Sequence, residues 1–278
     1  MWRMECKTFN ALWLTDIDDT LLPSNNASPL VFARISSFLK VLENYCVLTV
    51  PVTFKTRAEL EELSRTLNYS FKAYVAEGGC SVIISETLAN PYQWNTEGGE
   101  GVITLCRNRS MMDPVFHSLE STSCRDKYVK LTSLTPVEAS KLLNTSLKEA
   151  ENAVKREFTE VVYSSNSECL QLIEKEAVSH GFKAFRTRRF LHLGETGKEE
   201  AVKLLLNLIG YRVKGLIISS GDSPADAGFL SIAEIPIIVS NNHTEWFRKY
   251  PYVKITNNIP YSLIDIVSRH ILLKQPFW

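Results

Sequence analysis

The chain has 278 residues, of which 45% are hydrophobic and 22% charged, and its 31 basic side chains balance 31 acidic ones. That length predicts one large domain or a core carrying an insertion. A formal net charge of zero argues against a general nucleic-acid binder, and no apolar run reaches the ~18 residues of a membrane-spanning helix.

Residues 1–10 are mixed polar and carry no signal-peptide core. Six cysteines (Cys6, Cys46, Cys80, Cys106, Cys124 and Cys169) contain no CxxC pair. Their spacing fits neither a zinc site nor a small disulfide framework, so reduced thiols in a cytoplasmic protein are expected.

The first predicted element is a buried strand, Ala11-Leu12-Trp13-Leu14, which runs into Asp16-Ile17-Asp18-Asp19-Thr20-Leu21. Two carboxylates two residues apart are thereby delivered to the C-terminal end of a strand, where open α/β sheets place their chemistry. An Asp carboxylate is a competent nucleophile toward phosphorus, and a second one can shuttle the proton needed by the leaving oxygen. Residues 28–43 have helical apolar spacing, and 45–52 form an apolar, β-branched strand followed by Thr53. A hydroxyl in that position can donate to a phosphoryl oxygen. Residues 55–67 read as a helix and 73–76 as a short strand ending at Glu77-Gly78-Gly79. This β-α-β-α-β order predicts a parallel sheet with right-handed crossovers. Residues 80–85 then read as one arm of a hairpin.

From there the pattern changes. Residues 90–101 are a polar loop, and Thr135-Pro136-Val137-Glu138 and Ser146-Leu147-Lys148-Glu149 are capping boxes that open two helices. A strand is predicted over 157–164, a helix over 167–180 stopped by Gly181, and strands over 182–186 and 190–193. Lys183-Ala184-Phe185-Arg186-Thr187-Arg188-Arg189 carries four cations and no acid, a composition suited to an anionic leaving group. Residues 85–191 are therefore expected to form a separate α+β unit inserted between two pieces of a sheet domain, 1–84 and 192–278.

The sheet pattern resumes with a helix over 198–209 that opens on Lys198, a position the macrodipole disfavours for a cation. A buried strand over 215–219 leads into Ser220-Gly221-Asp222-Ser223-Pro224-Ala225-Asp226, and a further strand covers 235–239 and a closing helix 259–273. Asp222 and Asp226 flank a tight turn and offer the hard oxygen donors that suit Mg²⁺ completed by substrate and water.

These four pieces resemble, in order, the motifs of the haloacid dehalogenase superfamily of phosphatases. Asp16-Ile17-Asp18-Asp19-Thr20 resembles the nucleophile motif, Thr53 the second, Lys198 the third, and Gly221-Asp222-Ser223-Pro224-Ala225-Asp226 the fourth. The insertion lies between the second and third, as in members with a large cap there. A narrower similarity links Val52-Thr53-Phe54-Lys55-Thr56-Arg57-Ala58-Glu59 to the SKTRAE stretch of mannosyl-3-phosphoglycerate phosphatases. Glu77-Gly78-Gly79 resembles their ENGG turn without its Asn, and Arg156-Glu157-Phe158-Thr159-Glu160 and Arg189-Phe190-Leu191-His192 resemble their cap segments.

The resemblance implies an α/β fold, with a Rossmann-like parallel sheet core and an inserted α+β cap of the C2 type. It implies catalysis by Asp16, Asp18, Thr53 and Lys198, and Mg²⁺ held by Asp16, Asp18 through its main-chain carbonyl, Asp222 and Asp226. Substrate contacts are expected from Lys55, Arg57, Glu77, Gly78, Gly79, Arg188, Arg189 and His192. The partner expected is a small phosphorylated molecule, mannosyl-3-phosphoglycerate foremost, with no nucleic acid or membrane partner; oligomeric state stays open. Three positions depart from the pattern: Asp19 stands where Gly is usual, Ala225 where Asn is usual, and Glu199 where Gly is common. None of them removes a group that performs chemistry. A phosphosugar mutase and a non-enzymatic receiver-like module are the alternatives, the latter opposed by the insertion and by Asp18 as an available proton donor.

Overall fold

The computed structural model describes residues 6–23, 27–88, 100–187, 190–239, 254–256 and 259–272. β1 (Phe9–Thr15) is buried at every residue but Asn10, and runs into the acidic turn. α1 (Pro29–Asn44) starts on a Ser28 cap with Pro29 at its first position, and β2 (Val47–Pro51) is buried throughout. α2 (Arg57–Leu67) opens on a capping box of Thr56 and Glu59 and leads to β3 (Ala73–Ala76). β4 (Ser81–Ser85) and β5 (Glu100–Thr104) follow. The second unit contains α3 (Asp113–Leu119), β6 (Val129–Lys130), α4 (Pro136–Leu143), α5 (Leu147–Ala153), β7 (Glu160–Tyr163), α6 (Ser167–Ser179), β8 (Lys183–Arg186) and β9 (Leu191–Gly194). The chain returns through α7 (Lys198–Ile209), β10 (Val213–Gly221), α8 (Ala227–Leu230), β11 (Ile235–Val239), β12 (Lys254–Thr256) and α9 (Tyr261–Ile271).

The main sheet has the order β12-β11-β10-β1-β2, and every neighbouring pair is parallel. β1, β2 and β11 are near-continuous apolar runs because both of their faces are covered. Alternate residues of β1 divide between two cores. Ala11 and Trp13 pack with α1, α2 and α9, whereas Leu12 and Leu14 pack with α7 and α8. The chain moves outward from β1 to β2 in one direction and from β10 to β12 in the other. The C-terminal ends of β1 and β10 therefore meet at a topological switch point, the place where such sheets leave a crevice for a ligand.

β3 touches the main sheet through one parallel bridge, Val52 to Val75, and opens an antiparallel meander β3-β4-β5. The hairpin arm expected at 80–85 thus finds its partner at 100–104, which keeps β5 on the core side. β5 at 100–104 pairs with β4, and β9 at 191–194 pairs with β7 and β8. The second unit is an antiparallel sheet β6-β7-β9-β8 with two small cores of its own, one under α3 and α6 and one under α4 and α5.

The reduced-thiol expectation is overturned. Cys6 is bonded to Cys46, Cys80 to Cys106, and Cys124 to Cys169. The partners are 40, 26 and 45 residues apart, so no local spacing announces them and only the fold brings them together. Among the described residues no helix is long and apolar enough to cross a membrane.

Candidate active site

Asp16 follows β1 directly, and its N–H donates to the Ser220 carbonyl of β10 (2.9 Å), which fixes the acidic turn against the fourth motif. Asp19 takes the left-handed conformation (φ 56°) and donates its N–H to the Leu22 carbonyl (2.7 Å), so the residue standing where Gly is usual does the turn's work. Lys198, the first residue of α7, donates from Nζ to Asp16 Oδ1 (2.8 Å) and to Asp226 Oδ1 (2.6 Å). All three side chains are buried. These two carboxylates offset the unfavourable end of the helix dipole for this cation.

Asp226 Oδ2 accepts from the N–H groups of Asp222 (3.2 Å) and Ser223 (3.0 Å) and from Ser223 Oγ (2.8 Å). Ala225 therefore leaves no gap around this carboxylate, because its hydrogen bonds come from the turn itself. Ser223 is a site residue that the motif comparison passes over, although its spacing to Asp226 is that of a capping box. Thr20 Oγ1 donates to Asp222 Oδ1 at 3.5 Å. Glu199 is accommodated by Gly228, where any Cβ would lie 2.5 Å from the Glu199 carboxylate.

One carboxylate oxygen from each of Asp16, Asp222 and Asp226 lies within 4.8 Å of the others. Burial, and then the charge of its acidic neighbours against that of Lys198, pushes the Asp16 carboxyl up to about 7. Burial, Asp16 and Asp226 push Asp222 up to about 9. Burial alone would push the Lys198 ammonium down, but Asp16 and Asp226 outweigh it and hold it above the ordinary lysine range. Three carboxylates facing one ammonium leave a deficit of positive charge, and hard oxygen donors in this number fit a divalent cation such as Mg²⁺. The Asp18 side chain stands outside this cluster. It is half exposed and pairs with Lys55 Nζ at 3.0 Å.

Thr53 is buried after β2; its Oγ1 accepts from the Lys55 N–H (3.2 Å), which leaves its own proton free to donate. Gly78 and Gly79 adopt φ of 66° and 109°, and a Cβ on Gly79 would lie 2.2 Å from the Gly197 carbonyl. The turn therefore packs backbone against backbone beside Lys198, which only glycine permits. His192 stacks on Phe54 at 4.3 Å, and its imidazole is held well below its ordinary value by burial and by the cations Arg156 and Lys198.

Two expected substrate contacts are engaged elsewhere. Arg57 pairs with Glu61 and Glu100 on the surface at 2.9 Å each, because its place at the start of α2 points it toward β5. Glu77 is buried and its carboxylate accepts from the N–H groups of Glu157 (3.1 Å), Phe158 (3.1 Å) and Thr159 (2.9 Å) and from Thr159 Oγ1 (2.8 Å). It joins the core to the second unit. Arg188 and Arg189 lie outside the described residues. Sequence reasoning also passed over the role of Arg156, whose guanidinium donates to the Phe54 carbonyl (3.0 Å) and Thr159 Oγ1 (3.0 Å).

No family profile matches the chain. It is 26% identical over 247 residues to the glucosyl-3-phosphoglycerate/mannosyl-3-phosphoglycerate phosphatase of Persephonella marina, covering 87% of each chain. It is 26% identical over 255 residues to the mannosyl-3-phosphoglycerate phosphatase of Aeropyrum pernix, covering 88% of each. In structure it matches a haloacid dehalogenase-like hydrolase from Bacteroides thetaiotaomicron with a TM-score of 0.64 at 17% identity, over 93% of this chain and 98% of that one. The chain has the haloacid dehalogenase fold. A Streptococcus mutans protein superposes on it with a TM-score of 0.68 at 14% identity, over 95% of this chain and all of that one. The enzyme reading of the sequence agrees with both curated relatives, which are phosphatases and hence phosphoric monoester hydrolases. The acidic turn after β1 and the turn after β10 meet where the strand order of the sheet reverses.

Proposed function

We propose that the chain is a Mg²⁺-dependent phosphatase that hydrolyses a small phosphorylated sugar or glycerate conjugate, with mannosyl-3-phosphoglycerate the leading substrate, through an aspartyl-phosphate. The observation that carries this reading is the Asp16 carboxylate, buried at the switch point, held by Lys198 and gathered with Asp222 and Asp226. The names of the two curated relatives support the substrate class.

Phosphate monoesters are among the slowest species to hydrolyse unaided, because their charge repels nucleophiles and the transition state spreads charge over the equatorial oxygens. Mg²⁺ held by Asp16, Asp222 and Asp226, with the Asp18 carbonyl, would neutralise part of that charge. Lys198 and the Thr53 hydroxyl hold phosphoryl oxygens. The Asp16 carboxylate attacks phosphorus, the bond from phosphorus to the leaving oxygen breaks, and Asp18, entering the step in its protonated form with Lys55 turned to the leaving group, gives that oxygen its proton. Asp18 then takes a proton from water as the water oxygen attacks phosphorus; the bond to Asp16 breaks and inorganic phosphate leaves. Lys55, ion-paired with Asp18 and held above the ordinary lysine range by Asp18 and Glu59 despite its burial, is available to an anionic leaving group. A cap of the C2 type and a cytoplasmic location belong to the same proposal.

A phosphate-release assay with mannosyl- and glucosyl-3-phosphoglycerate, with and without Mg²⁺, tests the reading. Asp16→Asn should lower turnover by at least about 10³-fold while the fold is kept. Wild-type turnover in Asp16→Asn would remove Asp16 from the chemistry, and an isomeric phosphosugar in place of free phosphate would turn the reading to a mutase.

A further inference from the structure

Phe54, between Thr53 and Lys55, carries no reactive group, and neither the motif comparison nor the proposed mechanism gives its side chain a role. Its surroundings do. The Lys198 Nζ lies over its ring at 4.9 Å from the centroid, nearer than to the Phe229 ring at 5.8 Å. His192 of β9 stacks against it at 4.3 Å and Phe185 of β8 lies at 5.7 Å. Arg156 binds its carbonyl at 3.0 Å. A Cβ on Gly78 would come within 2.5 Å of the ring, so the glycine turn is shaped to admit it.

An ammonium has three N–H donors. Asp16 and Asp226 take two of those on Lys198, and the direction of the third decides whether a phosphoryl oxygen is met. A lysine on four flexible carbons does not set that direction by itself. An aromatic face attracts the cation and limits its rotation, an effect strongest where water is excluded. The contacts of the ring are with His192 and Phe185 of the second unit and with Lys198 of the core, so docking of one unit is felt at the ammonium of the other.

We propose that Phe54 is a positioning residue: its ring fixes the Lys198 ammonium and couples that ammonium to the seating of the cap sheet. The proposal rests on the phosphatase reading. The test replaces Phe54 with a series of ring-fluorinated phenylalanines, which weaken the attraction for a cation while nearly keeping the shape. The readouts are kcat on p-nitrophenyl phosphate and inhibition by inorganic phosphate, both with Mg²⁺. Each added fluorine should lower kcat and raise the phosphate inhibition constant, to about tenfold at three fluorines. Phe54→Tyr should stay within about twofold of wild type and Phe54→Leu should match the trifluorinated protein. A flat fluorine series in a protein whose wild type turns over would overturn the role of Phe54 alone. Absence of Mg²⁺-dependent phosphate release in the wild type would overturn the phosphatase reading instead.

Discussion

At the residue scale, the four charges of the crevice carry a consequence for stability. Asp16 and Asp222, pushed up to about 7 and about 9 by burial and mutual repulsion, bind protons more tightly in the folded chain than at the ordinary 3.8. The folded state therefore holds more protons than the unfolded chain from about pH 4 to about pH 9, and stability falls as pH rises through that window. A divalent cation replaces those protons, so it should stabilise most where they have left. With a chelator present, the unfolding temperature should drop from about pH 6 to about pH 9. Millimolar Mg²⁺ should restore several degrees at about pH 8.5 and far less at about pH 5.5. Scanning fluorimetry at both pH values checks this; an equal Mg²⁺ effect at the two would mean that the ion binds elsewhere. The meeting of Asp16, Lys198, Asp222 and Asp226 was legible in the sequence because each sits at a strand end or helix start, where backbone pattern alone fixes its place. Arg57 and Glu77 were not, since a side chain's direction depends on what the fold sets opposite it. For Arg57 that is Glu100 of β5, and for Glu77 it is a row of amides some eighty residues further on.

At the element scale, the capping boxes at Thr135 and Ser146 gave two helix starts as expected, and α7 and β11 have the predicted bounds. α3 was missed because seven residues are too few to show a period. β7 was expected from residue 157 but begins at Glu160, because the amides of 157–159 turn to the Glu77 carboxylate instead of a neighbouring strand. That carboxylate is a clamp between the β3–β4 turn of the core and the start of a strand of the second unit. Thr56 Oγ1, which donates to the Asn152 carbonyl (3.1 Å), and Arg156 add to the same seam. Glu77→Gln keeps the size but puts an NH₂ among N–H donors. Loss of hydrogen bonds to a charged acceptor costs about 1.5–3 kcal/mol. The variant should be less stable by about that amount in urea, and more readily cut by protease at the crossing segments 105–108 and 194–197. Wild-type values in both measurements would mean that the clamp does not hold the two units together.

At the scale of the whole molecule, the parallel sheet and its switch point were readable from the alternation of strands and helices, since connection handedness leaves few other topologies. The covalent frame was not readable, because cysteines 26 to 45 residues apart meet only after folding. Closing loops of that length stabilises by about 3–4 kcal/mol each in the chain-entropy account. The denatured, unreduced chain should therefore give close to zero free thiols on titration, and reduction should lower the unfolding temperature by more than about 10 °C. The three bonds differ in what they hold. Cys6–Cys46 ties the start of β1 to β2, and Cys124–Cys169 lies within the second unit. Cys80 follows Gly79, whose backbone abuts Gly197 at the start of α7, and Cys106 stands on the segment that leaves the core. The outgoing crossing is also tied to the returning one by the ion pair of Arg107 with Glu195. Replacing Cys80 and Cys106 by Ser should therefore lower kcat/KM more than the same change at Cys6 and Cys46, at a similar loss of thermal stability. Equal activity in the two double variants would assign the central bond to stability alone, and six titratable thiols in the native protein would return the molecule to the reduced state that its cysteine spacing first suggested.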